Sequence, residues 1–363
     1  MRLSEFDYHL PPELIAQRPP ERRGDSRLLH LPAAGAARHL AFADLPSLLR
    51  PGDLLVVNDT RVIPARVRFT LDGHDAEILL LHEVGADTWA ALTRPSRLIR
   101  QALRFDLPGG LAATVVAERP DGERTLRFDP PGRLREVLDD IGELPLPPYI
   151  HEPLADPSRY QTVYAAPAGW SVAAALRLGA IPEEWAPPAL ESAAAPTAGL
   201  HFDAAMLDRL RAAGVEIAPL TLRVGLDTFR PVRVEDLDDH RMHSEAYAVP
   251  AATRALVAAC RRRGGRVVAV GTTVCRTLEA AAATGRDAGS TDIFIRPGFE
   301  FRATDLLLTN FHLPKSTLLV MVAAFSGRER ILAAYREAVA RGYRFFSFGD
   351  CMLLEPAPGG GSG

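Results

Sequence analysis

The segment DLLLTNFHLPKSTLLVMVAAF (residues 305–325) contains three successive patterns that together indicate the fold class. Its first part is an apolar run of strand length, and its last part predicts a helix that begins near Pro314. Between them lies a polar turn with Asn310, His312 and Lys315. A strand, a turn and a helix in this order form the repeating unit of a sheet that is covered by helices.

The same unit recurs through residues 195–363. The predicted strands are VEIAPLTLRV, RVVAVGTT, TDIFI and RFFSF, and an earlier apolar run, DLLVVND, adds another. The predicted helices between them are FDAAMLDRLRAAG, AATRALVAACRRRGG, CRTLEAAAATG and RERILAAYREAVARGY. This alternation predicts an α/β main domain, a mixed sheet with flanking helices, formed by residues 1–60 and 150–355.

Residues 61–149 follow a different pattern. Short runs of strand length are separated by Gly, Asp and Pro turns: RVRFTL, AEILLLHE, TWAALTR, LRFDL, LAATVVAE and RTLRFD. This spacing is typical of a small antiparallel barrel or sandwich. We therefore predict a second, smaller antiparallel β-barrel domain inserted into the first. Residues 165–194 are predicted to be a surface insertion, and residues 356–363 a flexible tail.

The composition limits the function classes. Hydrophobic residues make up 47% and charged residues 24%, and the net charge of −3 argues against a uniformly basic nucleic-acid coat. The three cysteines form no CxxC pair, and an odd number argues against a disulfide framework. The sequence has no signal-peptide core and no apolar run long enough to span a membrane. We therefore expect a cytoplasmic protein that does not contact a membrane.

Lysine and asparagine are nearly absent, yet both occur in the turn of residues 305–325. Lys315 is the only lysine, because 42 − 1 leaves 41 arginines, and Asn310 is one of two asparagines beside Asn58. Lysine is a compact titratable charge, whereas arginine is a permanently charged fork, so a single retained lysine is explained either by chance or by a task that needs an amine. A cation at a helix N-terminus is unfavourable unless an anion binds there too, so we expect a bound anion near Lys315.

Other polar residues also follow predicted strands, where open α/β sheets bind ligands. In RVVAVGTT, Gly271, Thr272 and Thr273 precede a helix whose free N–H groups favour a phosphate or carboxylate, although many such turns serve packing alone. Arg18 and Arg27, in or beside an arginine-rich loop, match phosphate oxygens or simply form a solvated loop. The remaining candidates in strand-end and loop motifs are Asn58, Asp59, Thr60, Arg61, Thr197, Gly199, His201, Asp227, Thr228, Arg230, His243 and Glu245.

These residues leave three classes open. The first is an enzyme, the second a metal-independent RNA-binding module without catalysis, and the third a metal-dependent hydrolase. Titratable residues at several strand ends argue against the second. The third is disfavoured because no HExxH motif and no clustered Cys/His spacing occurs, so we expect no metal.

Taken together, the motifs resemble one family, the S-adenosylmethionine:tRNA ribosyltransferase-isomerases of queuosine biosynthesis. The resemblance covers nearly the whole chain in order and rests on GDLLVVNDTRVIPAR, LPLPPYI, RYQTVYA, APTAGLHF, MHSE, AVGTT, LLTNFHLPKSTLL and YRFFSFGD. It implies transfer and isomerisation of the ribosyl part of S-adenosylmethionine onto 7-aminomethyl-7-deazaguanine at the wobble position of a tRNA. The product would be epoxyqueuosine-tRNA, with release of adenine and methionine. It also implies an α/β domain with an inserted β-barrel.

The resemblance places the motif residues near the site without assigning each role. A base must remove a proton beside the sulfonium, and histidine suits proton transfer near pH 7, so His201, His243 and His312 are candidates. Asp227 and Glu245 are candidate bases or orienting groups. Lys315 is expected to pair with the methionine carboxylate or an RNA phosphate, or to donate to the departing adenine. The remaining expected substrate contacts are Asn58 and Asn310 to a purine edge and Arg18, Arg27 and Arg61 to tRNA phosphates. We expect a monomer.

Overall fold

Two β-sheets of different kinds organise the computed structural model, which describes residues 1–119, 122–165, 191–225, 232 and 234–357. Most of the predicted surface insertion and of the predicted tail lies outside these residues, as do Asp227, Thr228 and Arg230. No helix in the described ranges is long and apolar enough to cross a membrane.

The secondary structure follows the predicted alternation. The strands are β1 (Arg27–Leu31), β2 (Arg38–Ala41), β3 (Leu54–Asn58), β4 (Arg61–Val62), β5 (Arg66–Leu71), β6 (His74–Gly85), β7 (Thr88–Arg94), β8 (Arg104–Leu107), β9 (Leu111–Glu118), β10 (Arg124–Asp129), β11 (Gly142–Glu143), β12 (Glu191–Ser192), β13 (Glu216–Leu222), β14 (Glu245–Ala248), β15 (Val267–Val270), β16 (Ala288–Thr291), β17 (Leu306–Asn310) and β18 (Cys351–Leu354). The α-helices are α1 (Leu45–Leu48), α2 (Arg133–Ile141), α3 (Ala204–Ala212), α4 (Ala251–Arg262), α5 (Thr272–Thr284), α6 (Thr317–Ser326) and α7 (Arg328–Ala340).

The main sheet has nine strands in the order β16-β14-β13-β3-β15-β17-β18-β1-β2. Its centre, β13-β3-β15-β17, is parallel, so the carboxyl ends of these four strands meet at one edge. Strand β18 runs antiparallel to β17, and its first residue pairs with Asn310. The loop that precedes β18 therefore reaches the same edge.

Both faces of the main sheet are covered, which explains why its central strands are apolar throughout. In β3, Leu54 and Val56 belong to one buried cluster, and Leu55 and Val57 belong to another. The first cluster includes apolar residues of α5, α6 and α7, and the second includes residues of α1 and α3. The predicted α/β fold with a mixed sheet and flanking helices is thereby confirmed.

The second sheet has seven antiparallel strands in the order β11-β5-β6-β7-β10-β9-β8. It has its own buried core, in which Trp89, Phe105 and Phe128 lie together with Leu134 and Leu138 of α2. The prediction of a separate antiparallel unit in this part of the chain is confirmed. A closed barrel and the boundaries at residues 61 and 149 stay predictions, because the strand order has two ends.

Three sequence-based element predictions are wrong. TDIFI is not a strand, since the strand that pairs with β14 is Ala288–Thr291, and Ile295 instead enters the core. RFFSF is not a strand either, because its aromatic rings anchor a turning backbone in which Phe346 has φ +72°. The helix predicted from Pro314 begins at Thr317, where Ser316 accepts a hydrogen bond from the Leu319 N–H.

Candidate active site

A small cavity of about 40 Å³ lies at the carboxyl edge of the main sheet. Residues that follow β13, β15 and β17 line it, together with the loop before β18 and a 3-10 helix, Thr197–His201. This volume holds a few water molecules at most. The lining residues are Tyr149, Ala195, Pro196, Thr197, Ala198, Val224, Gly271, Thr272, Thr273, Thr309, Asn310, Phe311, His312, Leu318, Phe346 and Ser347.

Asn310, the last residue of β17, has three partners for its side-chain amide. Nδ2 lies 3.2 Å from the Phe346 carbonyl oxygen and 3.1 Å from Nε2 of His201. Oδ1 accepts a hydrogen bond of 3.2 Å from the Thr197 hydroxyl. Asn310 is only 3% exposed, so these contacts replace the hydrogen bonds that water would otherwise make.

His201 is buried behind this amide and is not a free proton carrier. Its Nδ1 lies 2.9 Å from the Ser26 hydroxyl, and its Nε2 faces Asn310, so both ring nitrogens have partners. Burial, helped by the positive charges of Arg23 and Arg344, lowers the pKa of His201 to about 4. The imidazole is therefore neutral near pH 7.

His312 is the second histidine at the cavity, and it does line the wall. One ring nitrogen, Nε2, lies 2.9 Å from the Thr309 hydroxyl, and no described residue forms a hydrogen bond with Nδ1. Burial lowers the pKa of His312 to about 3. Its backbone is held by two tyrosines, since the Tyr335 hydroxyl accepts from the His312 N–H and the Tyr8 hydroxyl donates to the His312 carbonyl.

The N-terminus of α5 forms another part of the wall. Gly271 directly precedes α5 and has φ +97°, a conformation that favours glycine. Thr272 and Thr273 are the first two residues of the helix. The first N–H groups of a helix have no partner within it, and the helix dipole favours negative charge there. The residues of the predicted anion cradle therefore lie at a helix N-terminus, and the bound anion stays a prediction.

Asn58, at the end of β3, is fully buried and ties two strands together. Its Nδ2 donates to the Leu222 carbonyl at 3.0 Å, and its Oδ1 accepts from the N–H groups of Leu222 and Thr60. The Thr60 hydroxyl lies 2.6 Å from that of Ser192, which accepts from the N–H of the cavity residue Val224. Asn58 and Thr60 thus shape the cavity wall indirectly.

Asp59 is a buried carboxylate beside this network. Its Oδ1 accepts a hydrogen bond of 2.6 Å from the Thr221 hydroxyl. Burial outweighs this hydrogen bond and raises the pKa of Asp59 to about 6. A carboxyl group with such a pKa is closer to the range that suits proton transfer than an exposed aspartate.

Comparison with known proteins identifies the family. The model of the family described as "Queuosine biosynthesis protein" matches residues 3–177 and 185–354 of this chain. The chain belongs to that family.

Relatives in the family are similar over their full length. A protein of Symbiobacterium thermophilum, named S-adenosylmethionine:tRNA ribosyltransferase-isomerase, is 52% identical over 98% of this chain and 100% of its own. A protein of the same name from Moorella thermoacetica is 51% identical over the same shares. A crystal structure of S-adenosylmethionine tRNA ribosyltransferase from Thermotoga maritima shares 36% identity and a TM-score of 0.54, covering 96% of this chain and 99% of that one.

Three candidate residues, Lys315, Arg18 and Arg27, lie outside the cavity of this family member. Lys315 has φ +55°, is about half exposed and donates to Asp7 at 2.8 Å, a hydrogen bond that raises its pKa. The expectation that it lies in the first turn of the helix is wrong. Arg18 pairs with Glu152 on the surface. Arg27 pairs with Asp350 at 3.0 Å and stacks on Tyr343, so it holds the loop before β18.

The MHSE motif residues also take positions away from the cavity wall. His243 is exposed. Glu245 is buried in an ion pair with Arg276 and accepts a hydrogen bond of 3.2 Å from the Gly225 N–H. Glu245 thus holds the backbone just after β13 and makes no contact of its own with the cavity.

Gly199 is set by packing rather than by a ligand. A Cβ atom at this position would lie 2.1 Å from the Tyr164 hydroxyl oxygen and 2.8 Å from the Thr162 methyl group. Only glycine therefore allows the 3-10 helix Thr197–His201 to approach these side chains.

A larger cleft of about 1520 Å³ lies between the second sheet and the segment of residues 144–161 that follows it. Arg61 lines it, and Pro148 and Ile150 do so on either side of the cavity residue Tyr149, so the two spaces are neighbours. The other charged lining residues include Arg66, Arg68, Arg94, Arg135, Glu77, Asp139, Glu143 and Glu152.

Sequence reasoning missed several residues that the site depends on. Tyr149 and Phe346 line the cavity with ring centroids 4.2 Å apart, and the Tyr149 hydroxyl bonds to Ser347. Ser26 and Ser192 hold His201 and Thr60. The motif LPLPPYI contains Tyr149, and the motif YRFFSFGD contains Phe346 and Ser347. The apolar composition of both motifs indicated packing and not a site.

Proposed function

We propose that this chain transfers and isomerises the ribosyl part of S-adenosylmethionine onto 7-aminomethyl-7-deazaguanine at the wobble position of a tRNA. The product is epoxyqueuosine-tRNA, and adenine and methionine are released. Family membership supports the reaction, and so do the full-length relatives that are named S-adenosylmethionine:tRNA ribosyltransferase-isomerase. The single observation that carries the site is that three motifs, APTAGLHF, AVGTT and LLTNFHLPKST, meet at one cavity.

His312 is the histidine that lines the cavity, so its position suits it to proton removal beside the sulfonium. It lines the cavity, is neutral near pH 7 and has one ring nitrogen without a described partner. For Nδ1 to accept the proton, Nε2 must carry the ring hydrogen and donate it to the Thr309 hydroxyl, which fixes the tautomer. Asp59 is the alternative base, because its raised pKa makes it a better acceptor, although it lies outside the cavity lining.

The N-terminus of α5 suits the methionine carboxylate. Its first N–H groups and the hydroxyls of Thr272 and Thr273 border the cavity, so a carboxylate there would receive several hydrogen bonds. A ligand of this size needs a pocket of roughly 300 Å³ or more, so the walls must separate when it binds.

The cleft beside the cavity suits the tRNA. Arg61 lines it, and Arg18 pairs with a cleft residue, Glu152. We propose that the second sheet acts as the inserted β-barrel domain (residues 61–149) and forms the outer wall of this groove. Lys315, which lies at the surface, would contact an RNA phosphate there and not a group in the cavity. We further propose that the protein is a cytoplasmic monomer that needs no metal.

The test is to incubate the purified chain with S-adenosylmethionine and a tRNA that carries the aminomethyl base. Adenine release with a matching mass increase of the tRNA is expected. His312→Gln should lower kcat by roughly 10²- to 10⁴-fold, as expected for loss of a general base, with KM for S-adenosylmethionine little changed. Absence of adenine release by the unaltered chain, or a requirement for a stoichiometric metal ion, would overturn the proposal.

A further inference from the structure

Thr197 presents a polar atom to the cavity whose hydrogen-bonding role is fixed by its neighbours. It is partly exposed and lines the wall. Its hydroxyl lies 3.2 Å from Oδ1 of Asn310. An amide oxygen can only accept a hydrogen bond, so the single hydroxyl hydrogen of Thr197 is directed at Asn310.

The orientation of the Asn310 amide follows from a second carbonyl. Nδ2 lies 3.2 Å from the Phe346 carbonyl oxygen. Exchanging N and O in the amide would place two acceptor oxygens against each other inside a buried site, which is strongly unfavourable. The network therefore admits one orientation, with Oδ1 toward Thr197.

The same orientation sets the tautomer of His201. The second Nδ2 hydrogen points at Nε2, 3.1 Å away, so Nε2 must be the unprotonated nitrogen. The ring hydrogen is then on Nδ1 and is donated to the Ser26 hydroxyl, 2.9 Å away. The chain Thr197 to Asn310 to His201 to Ser26 has one direction throughout, and each member donates to the next.

We propose that Thr197 is a specificity residue that offers only lone pairs to the cavity and so recognises an N–H or O–H donor on the substrate. Asn310 and His201 are its positioning residues. The inference rests on the proposed function, in which the donors available are the exocyclic amine of adenine, a ribose hydroxyl and the aminomethyl group of the tRNA base.

The test compares Thr197→Val, which keeps the shape but removes the acceptor, with Thr197→Ser, which keeps the hydroxyl. Each is assayed with S-adenosylmethionine and with analogues that lack the adenine amine, the 2′-hydroxyl or the 3′-hydroxyl. Beside these three analogues, equilibrium binding of each variant is measured with tRNA that carries the aminomethyl group and with tRNA that lacks it. Thr197→Val should lower kcat/KM by roughly 10- to 100-fold with the full substrate, and Thr197→Ser by less than about threefold.

The analogue arms decide the source of the donor. For one analogue, Thr197→Val and the unaltered chain should perform equally, because the partner is already missing. The inference is overturned if Thr197→Val lowers kcat/KM or binding equally with every analogue and tRNA, or does not lower them at all. Turnover by the unaltered chain in the same assays would still support the proposed function. If the unaltered chain neither binds S-adenosylmethionine nor releases adenine, both fail.

The positioning role has a readout that mere packing would not move. Nitrogen-15 NMR of histidine-labelled protein should show His201 as the neutral tautomer with hydrogen on Nδ1. Asn310→Asp places a carboxylate beside Nε2 and should bring a hydrogen onto that nitrogen. Hydrogen on Nε2 of His201 in the unaltered chain would contradict the assigned direction of the network.

Discussion

Asn310 Nδ2 lies 3.1 Å from Nε2 of His201, so the last residue of a central strand and a residue of a distant 3-10 helix determine each other's hydrogen-bonding state. Asn310 lines the cavity, and His201 lies behind it. A histidine held in this way shapes the site without exchanging protons with the substrate, which distinguishes it from His312.

Burial of the two histidines predicts a stability that falls in acid. The pKa of His201 is lowered to about 4 and that of His312 to about 3, whereas both titrate near 6.5 in the unfolded chain. Between pH 6.5 and 4 the unfolded chain takes up protons that the folded chain does not, so the free energy of unfolding falls as pH falls. The loss should be on the order of 3 kcal/mol per histidine by pH 4.

Urea unfolding at a series of pH values checks this. His201→Gln should show a shallower pH dependence than the unaltered chain, and His74→Gln, at an exposed position of β6, should show the same dependence. An unchanged slope in His201→Gln would mean that the buried ring already binds a proton.

Burial of Asp59 predicts a pH dependence of the opposite sign, in which the free energy of unfolding rises as pH falls. Its pKa is raised to about 6 by burial, above the usual 3.8, so the ionised carboxylate destabilises the fold above pH 6 and this cost disappears as pH falls toward 4. Asp59→Asn should therefore raise the free energy of unfolding by about 2–3 kcal/mol at pH 8 and by little at pH 4. A gain of equal size at both pH values would assign it to packing instead of charge.

The Glu245–Arg276 ion pair is buried, so removal of either side chain should strongly lower the free energy of unfolding. Both side chains are more than nine-tenths buried, and Nε and Nη2 of Arg276 have no hydrogen-bond partner among the described residues, so a lone guanidinium would be left without compensation. Glu245→Gln should cost about 3–5 kcal/mol. The matched surface control is Asp208→Asn, whose pair with Arg211 is exposed and should cost less than about 1 kcal/mol. Equal losses in the two variants would contradict the account.

Arg61 predicts a salt-dependent contribution to RNA binding. If it contacts one phosphate in the cleft, Arg61→Ala should weaken tRNA binding for all sequences and reduce the slope of log K against log salt by about 1. Arg211→Ala, on the exposed face of α3, is the control. An unchanged salt slope would place the tRNA elsewhere.

The sequence predicted most of the sheet because apolar runs such as LLVVN and LLLTN have one stable use, as strands covered on both faces. It failed at RFFSF, whose composition is that of a strand but whose rings pack into a turn. It could place Asn310 at the sheet edge, since strand ends converge there, and it named Thr197 only as a candidate in a motif. It could not pair them, because contacts between residues 113 positions apart depend on tertiary packing. Lys315 illustrates the limit, since its rarity was visible but its partner, Asp7, was not.

The central claim is that the ribosyl group of S-adenosylmethionine reaches the tRNA through this cavity. The most direct measurement uses S-adenosylmethionine with a carbon-13-labelled ribose and mass spectrometry of the modified nucleoside. The account predicts that the nucleoside gains every labelled ribose carbon, and that His312→Gln greatly slows the gain while S-adenosylmethionine still binds. An unlabelled nucleoside, or labelling at full rate in His312→Gln, would contradict it.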